Sequence, residues 1–273
     1  MSSTNQTSGT EAKNPDHEKT ELIKPIKKKE QPPFFGAENL RSLAFLVICI
    51  FAIRSSIAAP YEVPTASMEP TIKVGDRILA NKLAYGLKIP FTDIELAHWA
   101  DIKRGDIIVF KYPKSPDTDY VKRVVALAGD TVQVRDDILY INGSPLERVD
   151  HNQNRKVLND IDDKADNKSL YVETLEEKKF YVMQDSRGFR SSRSSNWPSD
   201  GLAYTVPERS VFVMGDNRDN SLDSRSWFQV PLEYVRGRAE IVLWSAYSPK
   251  NKQDSSWDVR WYRFFSSLYK MRD

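Results

Sequence analysis

The feature that most limits what this chain can become is one long apolar run, Leu43 to Ile53, within "RSLAFLVICIFAIRSSIAAP" at positions 41–60. Ile57, Ala58 and Ala59 extend it, and a helix of about 20 residues would reach across roughly 30 Å, the depth of a bilayer's hydrocarbon core. Arg54 interrupts the pattern. A charge costs about 2.5 to 3.5 kcal/mol at the centre of an inserted helix, but less near an end where the side chain snorkels. A cleaved signal peptide fits poorly, because the run begins beyond residue 40 behind a long polar tail. A buried soluble helix is compatible with its shortness. A membrane anchor is the best supported reading, since Lys24, Lys27, Lys28 and Lys29 precede the run and Arg41 opens it. Residues 1–39 then form a disordered basic tail in the cytoplasm, 40–59 a single transmembrane helix, and everything after Pro60 lies on the far side.

Composition removes several function classes. Lys plus Arg total 40 against Asp plus Glu 38, and a net charge of +2 gives no global attraction to nucleic acid, so no nucleic-acid partner is expected. The single Cys, Cys49, sits inside the apolar run, so no disulfide forms within the chain and no Cys-based metal site is available. Three His, at 17, 98 and 151, are too few and too scattered for zinc chemistry. Neither a metal nor an organic cofactor is expected.

Beyond Tyr61 the sequence turns to short β-rich runs between Gly, Pro, Asp and Asn, as in "GDRILANKLAYG", "RGDIIVFKYP" and "SVFVMGDN". The fold class is mainly β. In "DILYINGSPL", Asn142 and Gly143 are suited to the positive φ of a hairpin turn. Residues 147–179 are polar and loop-rich, and "RGFRSSRSSNWPSDG" (187–201) is irregular. The expected organisation is a β core in two parts, 60–130 and 208–248, with a smaller domain inserted at 131–207. Residues 249–273 follow, with Trp257, Trp261, Phe264 and Leu268 spaced as on an amphipathic helix, suited either to a membrane interface or to packing on the β domain.

Ser67, in "YEVPTASMEPT" (61–71), lies just past the apolar run. A Ser hydroxyl is a weak nucleophile and needs a base in hydrogen-bond reach, yet His is scarce here. A Lys desolvated by burial is the alternative, because its neutral amine can take the proton. Lys122, among Tyr120, Val121, Val124 and Val125, suits that role, with Arg123 directed to the opposite face of the strand and free to reach solvent. A third segment, "GDNRDNSLDSR" (215–225), has the residues of a rigid, charge-paired turn. Its Asp216, Asp219 and Asp223 lack the Gly and terminal Glu of a calcium loop.

"PTASMEPTIKVGD", "RGDIIVFKYP", "YVKRVVALAGD" and "GDNRDNSLDSR", in this order behind one apolar segment, resemble the successive sequence boxes of bacterial type I signal peptidases. The resemblance implies a Ser-Lys protease β fold behind one transmembrane helix, in a membrane endopeptidase of the bacterial inner membrane with its catalytic domain outside the cytoplasm. It would remove signal peptides from exported preproteins after small residues of the Ala-x-Ala type. Residue by residue, it makes Ser67 the nucleophile and Lys122 the general base. Thr65 stands where the family often has Ser, its hydroxyl joining Ser67 in the oxyanion hole. Ser221 would orient the Lys amine, Asp223 and Arg225 would pair beside the site, and Arg123, Gly215, Asp216, Asn217 and Arg218 would support it. Met68 is assigned to the substrate pocket, or equally to core packing. The partners implied are preproteins and the lipid bilayer, with no oligomeric state specified. Two rivals remain: a self-cleaving regulatory protein with the same Ser-Lys pair, which would carry a DNA-binding module rather than an apolar segment, and a catalytically silent anchored β domain.

Overall fold

The computed structural model describes residues 37–89, 92, 94–135, 137–161, 167–185, 202–247 and 258–271. Residues 1–36 of the expected tail, the stretch 187–201 and Trp257 lie outside the described residues, while Ala37, Glu38 and Asn39, expected in the tail, are helical. A helix, α1 (Ala37–Ser56), forms over the apolar run. Leu43, Phe45, Leu46, Val47 and Ile48 are all exposed, so apolar side chains surround the helix instead of lining one stripe. Among the described residues, however, no helix is long and apolar enough to cross a membrane.

From Leu46 to Asp273 the chain is one compact unit. Its strands begin with β1 (Ala58–Glu62), β2 (Asp76–Asn81), the small hairpin β3 (Gly86–Lys88) and β4 (Glu95–His98), β5 (Ile107–Tyr112) and the long β6 (Ser115–Leu127). Next come β7 (Thr131–Arg135), β8 (Ile138–Ile141), β9 (Ser144–Pro145), β10 (Glu147–Asp150), the short helix α2 (Arg155–Asn159), β11 (Lys168–Leu175), β12 (Lys178–Asp185) and β13 (Tyr204–Thr205). The chain then returns through β14 (Ser210–Met214), α3 (Ser224–Trp227), β15 (Val230–Pro231) and β16 (Val235–Tyr247), ending on β17 (Asp258–Val259) and β18 (Ser266–Ser267).

One antiparallel sheet dominates, in the order β1-β2-β16-β5-β6-β14-β15, with β17 and β18 also pairing β16. β5 shows why its sequence is continuously apolar: Ile107 and Val109 join the core on one face, while Ile108 and Phe110 join the core on the other. A strand covered on both faces has no polar alternation to display. β6 and β14 are neighbours in the sheet, and the chain between them builds two further sheets, β13-β7-β8-β9 and β10-β11-β12. The first shares a core with the main sheet, where Val132, Leu139 and Val206 pack with Val125, Phe212 and Met214. At the β8–β9 turn, Asn142 and Gly143 adopt φ of 53° and 78°, the backbone that this Asn-Gly pair is suited to.

The C-terminal segment departs from the expected amphipathic helix. Ser266 and Ser267 pair with Val242 and Ile241 as a strand, and Phe265, at φ 54°, breaks any helical path. Arg263 is buried against the Asp76 carboxylate, and Leu268 enters the core beside Ile72 and Ile78. Trp261 and Phe265 remain exposed.

Candidate active site

Ser67 sits on a single 3-10 turn, Ala66–Met68, which follows the end of β1 by three residues. Thr65 leads into it in extended conformation, so the hydroxyl is presented just past the end of an edge strand. Lys122 lies on β6, opposite Ile108 of β5. The fold brings them together: Lys122 Nζ is 2.7 Å from Ser67 Oγ, although the two residues are 55 apart in sequence. Nζ also donates to the Val121 carbonyl at 2.8 Å and lies 5.3 Å from the Tyr120 ring centre. Lys122 is 3% exposed and Ser67 7%. Burial drives the ammonium's pKa from 10.5 down to about 8, with the Asp223 and Asp216 carboxylates offsetting part of the fall.

Thr65 Oγ1 lies 3.3 Å from Ser67 Oγ, on the same cleft. That cleft has a volume of about 740 Å³, with Tyr61 to Thr65 on one wall, Thr118 to Lys122 on another and Arg218 to Leu222 on a third. Its free-edge strand β1 and its apolar Val63, Ile78, Val109 and Leu222 form an open slot for extended chain.

The turn 215–225 closes behind the nucleophile. Asn217 donates its backbone N–H to Ser67 O and its side-chain amide to Ala66 O, both at 3.1 Å. Gly215 runs so close that a Cβ there would stand 2.4 Å from Ser67 O and 2.2 Å from Ser221 Oγ, so no larger residue fits. Asp223 grips Arg225 through two contacts of 2.8 Å and accepts the Gly215 N–H at 3.0 Å. Burial pushes the Asp223 carboxyl up, but Arg225, Gly215 and the Ser221 hydroxyl outweigh it and hold its pKa below the ordinary range.

Three expectations need correction. Ser221 makes no hydrogen bond to Lys122: its buried hydroxyl has no hydrogen-bond partner among the described residues, helping only to lower the Asp223 pKa, and the Val121 carbonyl holds the amine instead. Met68 does not line the cleft, because its side chain is fully buried among Val63, Ile72, Ile78 and Val109. Arg123 is not the solvent-reaching neighbour of Lys122. It is 2% exposed, paired to Asp216 at 2.7 and 2.8 Å, donating to Gly105 O and stacked 4.1 Å from the Phe180 ring. The inserted sheet covers that face, so a charge there survives only with full pairing.

Sequence reasoning missed residues that the insertion supplies. Glu173 of β11, 1% exposed, clasps Arg218 at 2.5 and 2.7 Å, and Lys168 reaches Asn217 Oδ1 at 3.2 Å. Outside the insertion, Thr71 was missed as well, donating to Asp216 at 2.5 Å. No sequence signal pointed to Glu173 or Lys168, because each meets its partner across more than 40 residues. Among the described residues, no three His, Cys, Asp or Glu converge as a metal site. Asp216 and Asp223 each face an Arg.

Residues 37–244 match the family model described as signal peptidase, peptidase S26. The chain belongs to this family. It is 36% identical over 216 residues to a signal peptidase I of Pseudomonas aeruginosa, covering 75% of this chain and 71% of that one. It is 37% identical over 239 residues to a signal peptidase I of Aquifex aeolicus, covering 78% and 86%. A third relative of that name, from Pseudomonas fluorescens, is 34% identical over 82% of this chain and 78% of its own. The activity that follows is that of a serine endopeptidase of the signal peptidase I type, an S26 peptidase that removes signal peptides.

Proposed function

We propose that hydrolysis proceeds through a Ser67–Lys122 dyad. The observation that carries this reading is the 2.7 Å contact between a buried amine and the hydroxyl. With its pKa near 8, about one Lys122 in ten is neutral at pH 7, against about one in 3,000 at 10.5. The neutral amine accepts the Ser67 proton as Oγ attacks the scissile carbonyl carbon, and Lys122 becomes an ammonium. That ammonium returns its proton to the leaving amine as the acyl-enzyme ester forms; Lys122 then deprotonates the water that cleaves the ester, freeing Ser67. The Ser67 N–H and the Thr65 hydroxyl, at the position its 3.3 Å approach to Oγ gives it, stabilise the oxyanion. One such donor is worth about 2.7 to 4 kcal/mol.

The substrates are exported preproteins, bound extended along the cleft and cut after small residues of the Ala-x-Ala type. The enzyme is held at the bacterial inner membrane, with α1 buried in lipid and the catalytic unit outside the cytoplasm. Supporting this are the exposed apolar side chains around α1, and those of Ile94, Leu96 and Trp99 near the β3–β4 hairpin and Trp261 and Phe265 near the C-terminus.

The test uses purified full-length protein in detergent with a preprotein whose signal ends in Ala-x-Ala, compared with Ser67→Ala, Lys122→Ala and Lys122→Arg. Processing by the parent and by none of the variants is expected, the last because a guanidinium stays protonated. Processing by either Lys122 variant at the parental rate would remove Lys122 as base.

A further inference from the structure

We propose that Lys168, on the inserted strand β11, is a positioning residue for the nucleophile, acting through the side-chain amide of Asn217. This rests on the Ser67 assignment above and extends it to a part of the chain that the sequence boxes do not include.

Asn217 is wholly buried and holds the nucleophile's turn at two points, Ala66 O through its side chain and Ser67 O through its backbone. An amide side chain can face either way. With its NH₂ toward Ala66 O it adds a hydrogen bond, and reversed it places oxygen against oxygen. What selects the productive orientation is the group on the other side of the amide. Lys168 Nζ, a donor with no acceptor capacity, lies 3.2 Å from Asn217 Oδ1 and so requires oxygen there. Its position is fixed in turn by Asp185 Oδ1 at 2.8 Å and by burial of its side chain to 5% exposure. Asp185 belongs to β12, which is also tied to the turn by Met183 N–H donating to Asp216 O at 2.8 Å. The path therefore runs from the inserted sheet, through one ammonium and one side-chain amide, to the carbonyl of Ala66, the residue before the nucleophile. Neither Lys168 nor Asn217 lines the cleft.

The consequence is a loss in turnover without a matching loss in binding. A misplacement of about 1 Å at a reacting group costs on the order of 100-fold in rate. The experiment measures kcat and KM on a preprotein for the parent, Lys168→Met, Asn217→Asp and the double variant, with Ser67→Ala alongside. Asn217→Asp keeps an oxygen for Lys168 but removes the donor to Ala66 O. Expected are losses of roughly 10- to 100-fold in kcat for each single variant, little change in KM, and a double variant no worse than Asn217→Asp alone.

Multiplying losses in the double variant would overturn the proposal, because two residues acting by separate routes add in free energy. So would a parental kcat for Lys168→Met or for Asn217→Asp, and either single variant suffices should the other fail to fold. If Ser67→Ala processes the preprotein at the parental rate, the dyad itself fails; if Ser67→Ala is dead while Lys168→Met is parental, only the positioning role fails.

Discussion

Replacing Gly215 by Ala is the smallest change that should disable this enzyme. The added methyl would stand 2.4 Å from Ser67 O, 2.5 Å from Ser221 Cβ and 2.2 Å from Ser221 Oγ. Carbon contacts settle at about 3.5 to 4.0 Å, so more than 1 Å must be gained. The Ser221 hydroxyl can rotate away, but the Ser67 carbonyl is backbone, held by the Asn217 N–H at 3.1 Å. Relief therefore moves either the nucleophile's peptide or the turn that carries the Asp223–Arg225 pair. Overpacking of this kind costs about 1 to 3 kcal/mol in stability, and a shift near 1 Å at Ser67 costs on the order of 100-fold in kcat. The assay is preprotein cleavage at saturating substrate, with a urea titration of the same preparation. A Gly215→Ala protein with parental kcat and parental midpoint would refute the close packing of turn against nucleophile.

Two further substitutions separate stability from chemistry. Glu173→Gln leaves Arg218, 3% exposed, without its buried counter-charge, and a loss of about 3 to 5 kcal/mol is expected; a denaturant midpoint within error of the parent would contradict the pair's burial. Met68→Ala empties a fully buried site in the core, expected to cost about 2 to 5 kcal/mol with KM unchanged; a raised KM and undiminished stability would return Met68 to the substrate cleft.

The β content was legible in local patterns, β-branched runs between turn residues, whereas the candidate dyad was legible only from the order of four sequence boxes, because a Ser before Met and a Lys in a β run are each commonplace. What escaped was set by contacts distant in sequence. Glu173 and Arg218 are 45 residues apart, and Lys168 and Asn217 are 49; no periodicity links them. Arg123 was assigned to solvent because strand alternation fixes which face a side chain takes but not what covers that face. The C-terminal spacing of Trp261, Phe264 and Leu268 suited a helix, yet pairing with β16 and the Arg263–Asp76 contact decided otherwise. The helix α1 formed where the apolar run predicts one.

The central claim is that burial makes Lys122 a base at near-neutral pH, and the pH dependence of kcat/KM tests it most directly. Because the neutral amine is the active form, the rate should rise with pH through a midpoint of about 8. The unfolded chain recovers the ordinary 10.5, so folding stability should also climb between about 8 and 10.5, where the unfolded state binds the extra proton. A kcat/KM profile still rising toward 10.5 with no inflection near 8, or one flat across that range in the parent, would contradict the account.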